Sequence, residues 1–464
     1  MRIVNTAVLL STIVLLFRGC DSNHRNKTIE GIWQGRLKYP GFESRIVFII
    51  TVKPDGTFKA NMLKPDESDN EVTVSKVVFK NSDLHLEVDS VNASFDGLLK
   101  IEEGIIEGKW RQKRWSQPLV LKRVAEVVKP PRPQTPVPPY PYNEEYVTFT
   151  NRKAGAKLAG TLTSPRTGYS WPAVLLISGG GAHDRDYSIL RHRPFLVLAD
   201  YLTRRGIAVL RFDERGVGES TGDRSQATSE DYAEDVLAGV NFLKSHKQID
   251  PNRIGLIGHS EGGTIAALAA AQSPDIAFIV MMGAPGLPGK EYNLQFEESK
   301  ARSLGLNKEA IAANRSLQEL VLSVIIYETD PVLAEAKLRR LYGELFPSMP
   351  EDKTEAAIKR FLSPWFRFNV THDPGATLTL LKCPVLAIFG EKDIQVPPEG
   401  NLEAIQQALE RGGNTSYKVE KLPGLNHFFQ TAPTGSPNEY IKLEETISPV
   451  VLKLICTWIL EGGD

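Results

Sequence analysis

Two patterns of apolar and polar positions divide the chain, with a proline run between them. From residue 29 to about 124 the apolar positions alternate with polar ones in short runs, at 31–39, 45–52, 57–63, 72–79, 84–88, 93–101, 105–110 and 119–124. Turn pairs such as Asp55-Gly56, Asn81-Ser82 and Glu103-Gly104 separate them. Period-two runs joined by such turns predict an antiparallel meander, closed as a small barrel or sandwich. From residue 145 the pattern changes. Apolar runs at 146–150, 158–163, 173–177, 207–212, 254–257, 278–282, 384–389 and 417–422 read as strands. Helical spacing appears at 195–205, 229–246, 265–271 and 445–460. Strands alternating with helices predict a mostly parallel sheet covered on both faces. Between about 286 and 373 the strands stop, and helical spacing through 295–346 and 353–361 predicts an inserted helical cap.

The expected domains are therefore a β domain over 29–125, a linker over 126–144 and an α/β domain over 145–464. Seven prolines within 129–142 make the linker extended and stiff, a spacer rather than a peptide ligand. A ligand-binding barrel and a structural or docking module both fit the β domain, and the second is favoured because a fold does not by itself give a function. Residues 1–20 read as a targeting segment. Arg2 precedes an apolar run at 7–17 that is too short to span a bilayer. The run ends Leu16-Phe17-Arg18-Gly19-Cys20, which resembles a bacterial lipoprotein signal with Cys20 as the lipidated residue. Arg18 stands where a small residue is usual, so a plain secretory signal and an uncleaved anchor are the alternatives. An exported protein of the periplasm or cell envelope is expected, tethered to a membrane through Cys20. The 464 residues carry a formal net charge of −1, which gives no reason to expect a nucleic-acid partner. Three cysteines are too few for a disulfide framework or a multi-cysteine zinc site.

The candidate chemistry centres on Gly258-His259-Ser260-Glu261-Gly262, a G-x-S-x-G pattern with a strand before it and a helix after it. A serine on such a turn holds its Oγ clear of the backbone, beside a helix N-terminus that favours developing negative charge. A serine nucleophile needs a base, and the base needs an orienting carboxylate. Two histidines follow Ser260, His372 at the cap's end and His427 in a loop past the last strand. His427 is the better base, because a loop at the sheet's carboxyl edge can face the elbow. Asp393, in Gly390-Glu391-Lys392-Asp393 after a strand, is the candidate acid, with Glu391 the fallback. An oxyanion hole needs two N–H donors. Glu261 N–H supplies one. Gly180, in Ser178-Gly179-Gly180-Gly181, is assigned the other. Residues 212–220 contain Gly216 and Gly218 but lack the third glycine and helix start of a dinucleotide site.

Taken together, these segments resemble bacterial carboxylesterases of the α/β-hydrolase superfamily, including exported members with a β-rich N-terminal part. The matching pieces are the glycine loop with Asp184-Arg185-Asp186, residues 212–220, the elbow, Ser363-Pro364-Trp365-Phe366, Gly390-Glu391-Lys392-Asp393 and Leu422-Pro423-Gly424-Leu425-Asn426-His427. The resemblance implies an α/β-hydrolase fold, a Ser260–His427–Asp393 triad, Gly180 and Glu261 as oxyanion donors, a small-molecule ester substrate, and no metal or cofactor. Ser178 departs from the histidine many relatives have there. Trp365 and Phe366 are candidates for the substrate pocket, and an apolar cap core explains them equally well. An aminopeptidase or acyltransferase could use the same triad. An aminopeptidase would need a carboxylate for the substrate amine, for which the cap offers Glu297, Glu298 and Glu309. A binding protein on an inactive scaffold is the remaining reading. Oligomeric state is left open.

Overall fold

The structure is a computed structural model that describes residues 29–462 apart from 40, 41, 69, 114 and 348. The targeting segment and Cys20 lie outside the described residues. The chain forms two compact units that divide between Lys129 and Pro130.

The first unit is one antiparallel sheet of nine strands: β1 (Gly31–Tyr39), β2 (Phe42–Val52), β3 (Phe58–Leu63), β4 (Glu71–Thr73), β5 (Lys76–Lys80), β6 (Asp83–Val88), β7 (Ala93–Lys100), β8 (Ile105–Gln112) and β9 (Trp115–Val124). Their order is β4-β3-β2-β1-β9-β8-β7-β6-β5. The two edge strands, β4 and β5, are joined by Val74 and Ser75 alone, and Val74 N–H donates to Ala60 C=O on β3 at 3.0 Å. The sheet therefore curls until its edges approach, as expected of a meander that must bury one face. Its interior is filled. Trp33, Phe48, Phe95 and Trp110 are each at most 1 % exposed, within one apolar cluster.

The second unit contains an eight-stranded sheet: β10 (Asn143–Asn151), β11 (Ala156–Ser164), β12 (Trp171–Ile177), β13 (Ala208–Phe212), β14 (Ile249–His259), β15 (Phe278–Met282), β16 (Val385–Gly390) and β17 (Tyr417–Leu422). The order is β10-β11-β13-β12-β14-β15-β16-β17. β10, β11 and β13 pair antiparallel, and every pair from β13 to β17 is parallel. The central strands are buried on both faces, which is why they read as unbroken apolar runs. Alternate side chains feed two cores. Ala173, Leu175 and Ile177 join one cluster with α2 (Ser229–Ser245) and α3 (Glu261–Gln272). Val174 and Leu176 join the other with α1 (Pro194–Thr203) and the closing helix (Pro449–Leu460). That last helix starts four residues later than its periodicity suggests, because Pro449 has no N–H to bond backwards and fits best at the first helical position.

The cap between β15 and β16 consists of α4 (Gly289–Ser303), α5 (Lys308–Tyr327), α6 (Pro331–Leu345), α7 (Glu351–Phe361) and α8 (Pro364–Thr371). The long helical run read from the sequence is broken where Asn307 and Asp330 cap new helices by accepting hydrogen bonds from Ala310 N–H and from Val332 and Leu333 N–H. The proline segment is also tied to this unit. Arg132 donates to the carbonyls of Leu190, Ile441 and Leu443, and Gln134 accepts from Thr446 N–H and Ile447 N–H. Among the described residues no helix is long and apolar enough to cross a membrane.

Candidate active site

Parallel strands deliver their following loops to one edge of the sheet, and open α/β sheets use that edge for ligands. β12 runs into the glycine loop, β14 into Ser260, β16 into Asp393 and β17 into His427. Ser260 has φ 57° and ψ −125°, a sparsely populated conformation that costs on the order of 1–3 kcal/mol and persists only under constraint from its surroundings. The constraint is visible. Ser260 N–H donates to Met282 C=O at 2.8 Å, and Gly263 N–H donates to Ser260 C=O at 2.9 Å. A Cβ at Gly258 would stand 2.0 Å from Gly262 O, and one at Gly262 would stand 2.2 Å from Ile177 O. The elbow closes only because both positions are glycine.

Beside it lies a buried imidazole–carboxylate pair. His427 Nδ1 and Asp393 Oδ2 are 2.7 Å apart, and both residues are 3 % exposed. Asp393 Oδ1 accepts from Gln395 N–H and Val396 N–H, each at 2.8 Å. The carboxylate is thus fixed by three hydrogen bonds, and Nδ1 of His427 carries the proton it donates. Gly283, at φ +57°, backs the pair: a Cβ there would lie 3.2 Å from Asp393 Oδ2 and 3.4 Å from His427 Nδ1. Glu391 points elsewhere, accepting from Gly424 N–H at 2.8 Å. His372 stacks on Phe368 and lines the cavity that contains Ser260. No hydrogen bond joins Ser260 Oγ to His427; such contacts often tighten only around bound substrate.

His259 is the functional residue the sequence reading passed over. Its ring is buried, and burial together with the neighbouring His427 holds its pKa well below the usual histidine value. The neutral imidazole donates from Nε2 to His427 C=O at 2.8 Å and accepts at Nδ1 from Tyr187 O–H at 3.1 Å. It links the residue before the nucleophile to the backbone of the base. Its only sequence signal was occupancy of the x before the elbow serine.

Ser260, Gly180, Glu261, Trp365 and Phe366 border one cavity of about 180 Å³. Gly179 lies against the serine, where a Cβ would be 3.0 Å from Ser260 Cβ. The Glu261 side chain, read from sequence only for its backbone, is buried, and burial raises its pKa. Its Oε1 accepts from Ser229 O–H at 2.6 Å and from Trp365 N–H at 2.7 Å, which pins the cap tryptophan over the elbow helix. Phe366 is 6 % exposed and, besides bordering this cavity, belongs to the cap's own apolar cluster. Glu297 and Glu298 pair with lysine and arginine on the cap and Glu309 is exposed; none borders this cavity. Residues 212–220 form an ion-paired loop. Asp213 binds Arg185 at 2.7 Å, and a Cβ at Gly218 would strike Asp213.

A strained elbow serine beside a buried imidazole–carboxylate pair, all on the carboxyl edge of a parallel sheet, defines the hydrolase class built on a nucleophile elbow. A family model described as alpha/beta hydrolase fold matches residues 172–431, more than half of the chain, and the chain belongs to that family. It is 27% identical over 326 residues to the esterase EstD of Thermotoga maritima, covering 70% of this chain and 69% of that one. It is 26% identical over 295 residues to a thiohydrolase of Arthrinium phaeospermum, covering 61% of this chain and 88% of that one. Among solved structures, an esterase of Pyrococcus furiosus aligns with a TM-score of 0.42 at 18% identity, over 72% of this chain and 97% of that one.

Proposed function

We propose that this hydrolase is a serine esterase that cleaves carboxylic esters through an acyl-enzyme. The observation that carries the reading is the buried 2.7 Å contact between His427 Nδ1 and Asp393, set beside a serine held in elbow geometry. Ser260 Oγ attacks the ester carbonyl while His427 Nε2 takes its proton. The carbonyl oxygen becomes an oxyanion that accepts from Gly180 N–H and Glu261 N–H. The tetrahedral species collapses, the alkoxide leaves with the proton from His427, and water repeats the sequence to release the acid. Asp393 holds the imidazole in its Nδ1–H tautomer and steadies the imidazolium as it forms. The name of the Thermotoga maritima relative agrees with this substrate class. The test is turnover of p-nitrophenyl acyl esters. Ser260→Ala should lower kcat by about 10⁵–10⁶ and abolish labelling by a fluorophosphonate; unchanged turnover would overturn the assignment.

The reading extends to location. The N-terminal pattern supports export with Cys20 as a lipid anchor. Cys20→Ser should move the protein from the membrane fraction to the soluble one, and identical partitioning of both forms would refute the anchor.

A further inference from the structure

Ser260 stands beside two adjoining cavities. The one that contains it is walled by cap aromatics, among them Tyr292, Phe296 and Phe368. The second, about 400 Å³, begins at Gly180, Glu261, Arg360 and Trp365, which border both. A Cβ at Gly180 would lie 2.9 Å from Glu261 Oε2 and 3.3 Å from Trp365 Cζ2, so glycine keeps that junction open.

The larger cavity gathers charged groups for which acyl transfer has no use. Glu214 and Glu261 present buried carboxyls whose hydrogen-bonding partners are neutral. Ser178 O–H donates to Glu214 at 2.5 Å, and Ser229 O–H and Trp365 N–H donate to Glu261. Neither is in a salt bridge. Arg224 and Arg360 border the same space. Arg224 donates to Gly181 C=O, and Arg360 lies 5.8 Å from the centre of the Phe366 ring. Asp235 also borders the cavity but is held by Arg215 at 2.6 Å, so two unpaired acids stand against two guanidiniums and leave the cavity formally balanced. A cationic guest would meet both arginines, and an anionic guest would meet both carboxyls in a poorly hydrated place. A neutral guest with hydroxyl groups finds acceptors in the carboxyls, donors in the guanidiniums and an aromatic face in Trp365 for its carbon skeleton.

The leaving alcohol must meet His427, which returns the proton to it. No residue bordering the larger cavity comes from the loops that carry Asp393 and His427, whereas the glycine loop and the cap's Arg360, Ser363 and Trp365 do border it. The smaller cavity is bordered by Gln395 from the Asp393 loop and the larger by neither loop, so the larger is assigned the acyl half of the ester.

We propose that this cavity is an acyl pocket for uncharged, polyhydroxylated carboxylic acids, and that Glu214, Glu261, Arg224 and Arg360 determine that specificity. The proposal rests on the serine-esterase reading. Its test compares kcat/KM of the full chain on the p-nitrophenyl esters of shikimic acid and of cyclohexenecarboxylic acid, matched rings with and without hydroxyls. The hydroxylated ring should be preferred by at least about tenfold, because a site built to hydrogen-bond a hydroxyl rejects the analogue lacking it. Glu214→Leu should bring the ratio close to one, with circular dichroism reporting the fold. Should that variant not fold, Arg360→Ala, on the exposed side of the cap, should cut the ratio at least threefold. Hydrolysis of both esters at equal rates overturns the pocket and leaves the esterase reading standing. So does a stronger preference for the ester of aminocyclohexanecarboxylic acid, which would assign a cation, or a ratio unmoved in the folded variants. No turnover of any ester and no fluorophosphonate labelling would overturn the esterase reading, and this proposal with it.

Discussion

At the scale of single residues, the site depends on groups held by fixed hydrogen-bond partners. Asp393 accepts from two backbone N–H groups and from His427, so removing its charge while keeping its shape should leave the geometry and spoil the tautomer. Asp393→Asn is expected to lower kcat on p-nitrophenyl esters by about 10⁴ with the melting temperature little changed. A loss below tenfold would mean that another group orients His427. Glu214 permits a test by pH. Burial pushes its pKa up to about 7 from 4.5. A carboxyl raised in the fold above its unfolded value contributes stability that is full below about pH 4.5 and is lost as pH rises through about 7. Glutamine does not titrate. Glu214→Gln should therefore gain stability relative to the parent as pH rises across that window, by about 3 kcal/mol in total at roughly 1.4 kcal/mol per pH unit. Urea unfolding of both proteins at pH 5 and pH 7.5 measures this, and a pH-independent difference would refute it. The sequence displayed Ser260, Asp393 and His427 through their loop positions and order. It gave no sign that His259 would brace the base or that Glu214 and Glu261 would share a cavity, because those contacts join residues distant in the chain.

Secondary elements decide where those residues stand. The elbow needs glycine at two places for reasons of contact rather than turn type, since Gly262 lies against the backbone end of β12. Gly262→Ala should destabilise the protein by well over 1 kcal/mol, because the clash is with backbone that cannot rotate away. Loss of soluble protein or a clear drop in melting temperature is expected, and a parental melting temperature would count against the packing described. The strand and helix types were legible because their apolar periods are regular over several residues. Their ends were less so. Caps at Asn307 and Asp330 divide a stretch that periodicity alone leaves continuous. The proline segment shows the limit of composition. Its stiffness was evident, but Arg132 and Gln134 fasten it onto the loop of residues 441–447. Arg132→Ala leaves three carbonyls without that donor and should cost about 1–3 kcal/mol in thermal unfolding.

At the scale of the molecule, each unit has apolar clusters of its own, and every residue of the candidate site belongs to the second. A fragment beginning at residue 126 keeps Arg132 and the whole site. Its turnover of p-nitrophenyl esters is expected within about twofold of the full chain, since catalysis depends on local preorganisation; a much larger loss would show that the β unit contributes to the site. The sequence by itself determined the two-part organisation, the order of strands and helices, the elbow at Ser260 and the order serine, acid, histidine. These are properties of local period, turn chemistry and chain order, and each can be read from neighbouring residues. Only the tertiary structure decided that Asp393 rather than Glu391 meets His427, that the Glu261 side chain holds Trp365, and that acids and arginines gather past Gly180. Those choices depend on which side chains from separate strands and the cap are pressed into one dehydrated volume, and that is settled by packing rather than by any pattern along the chain.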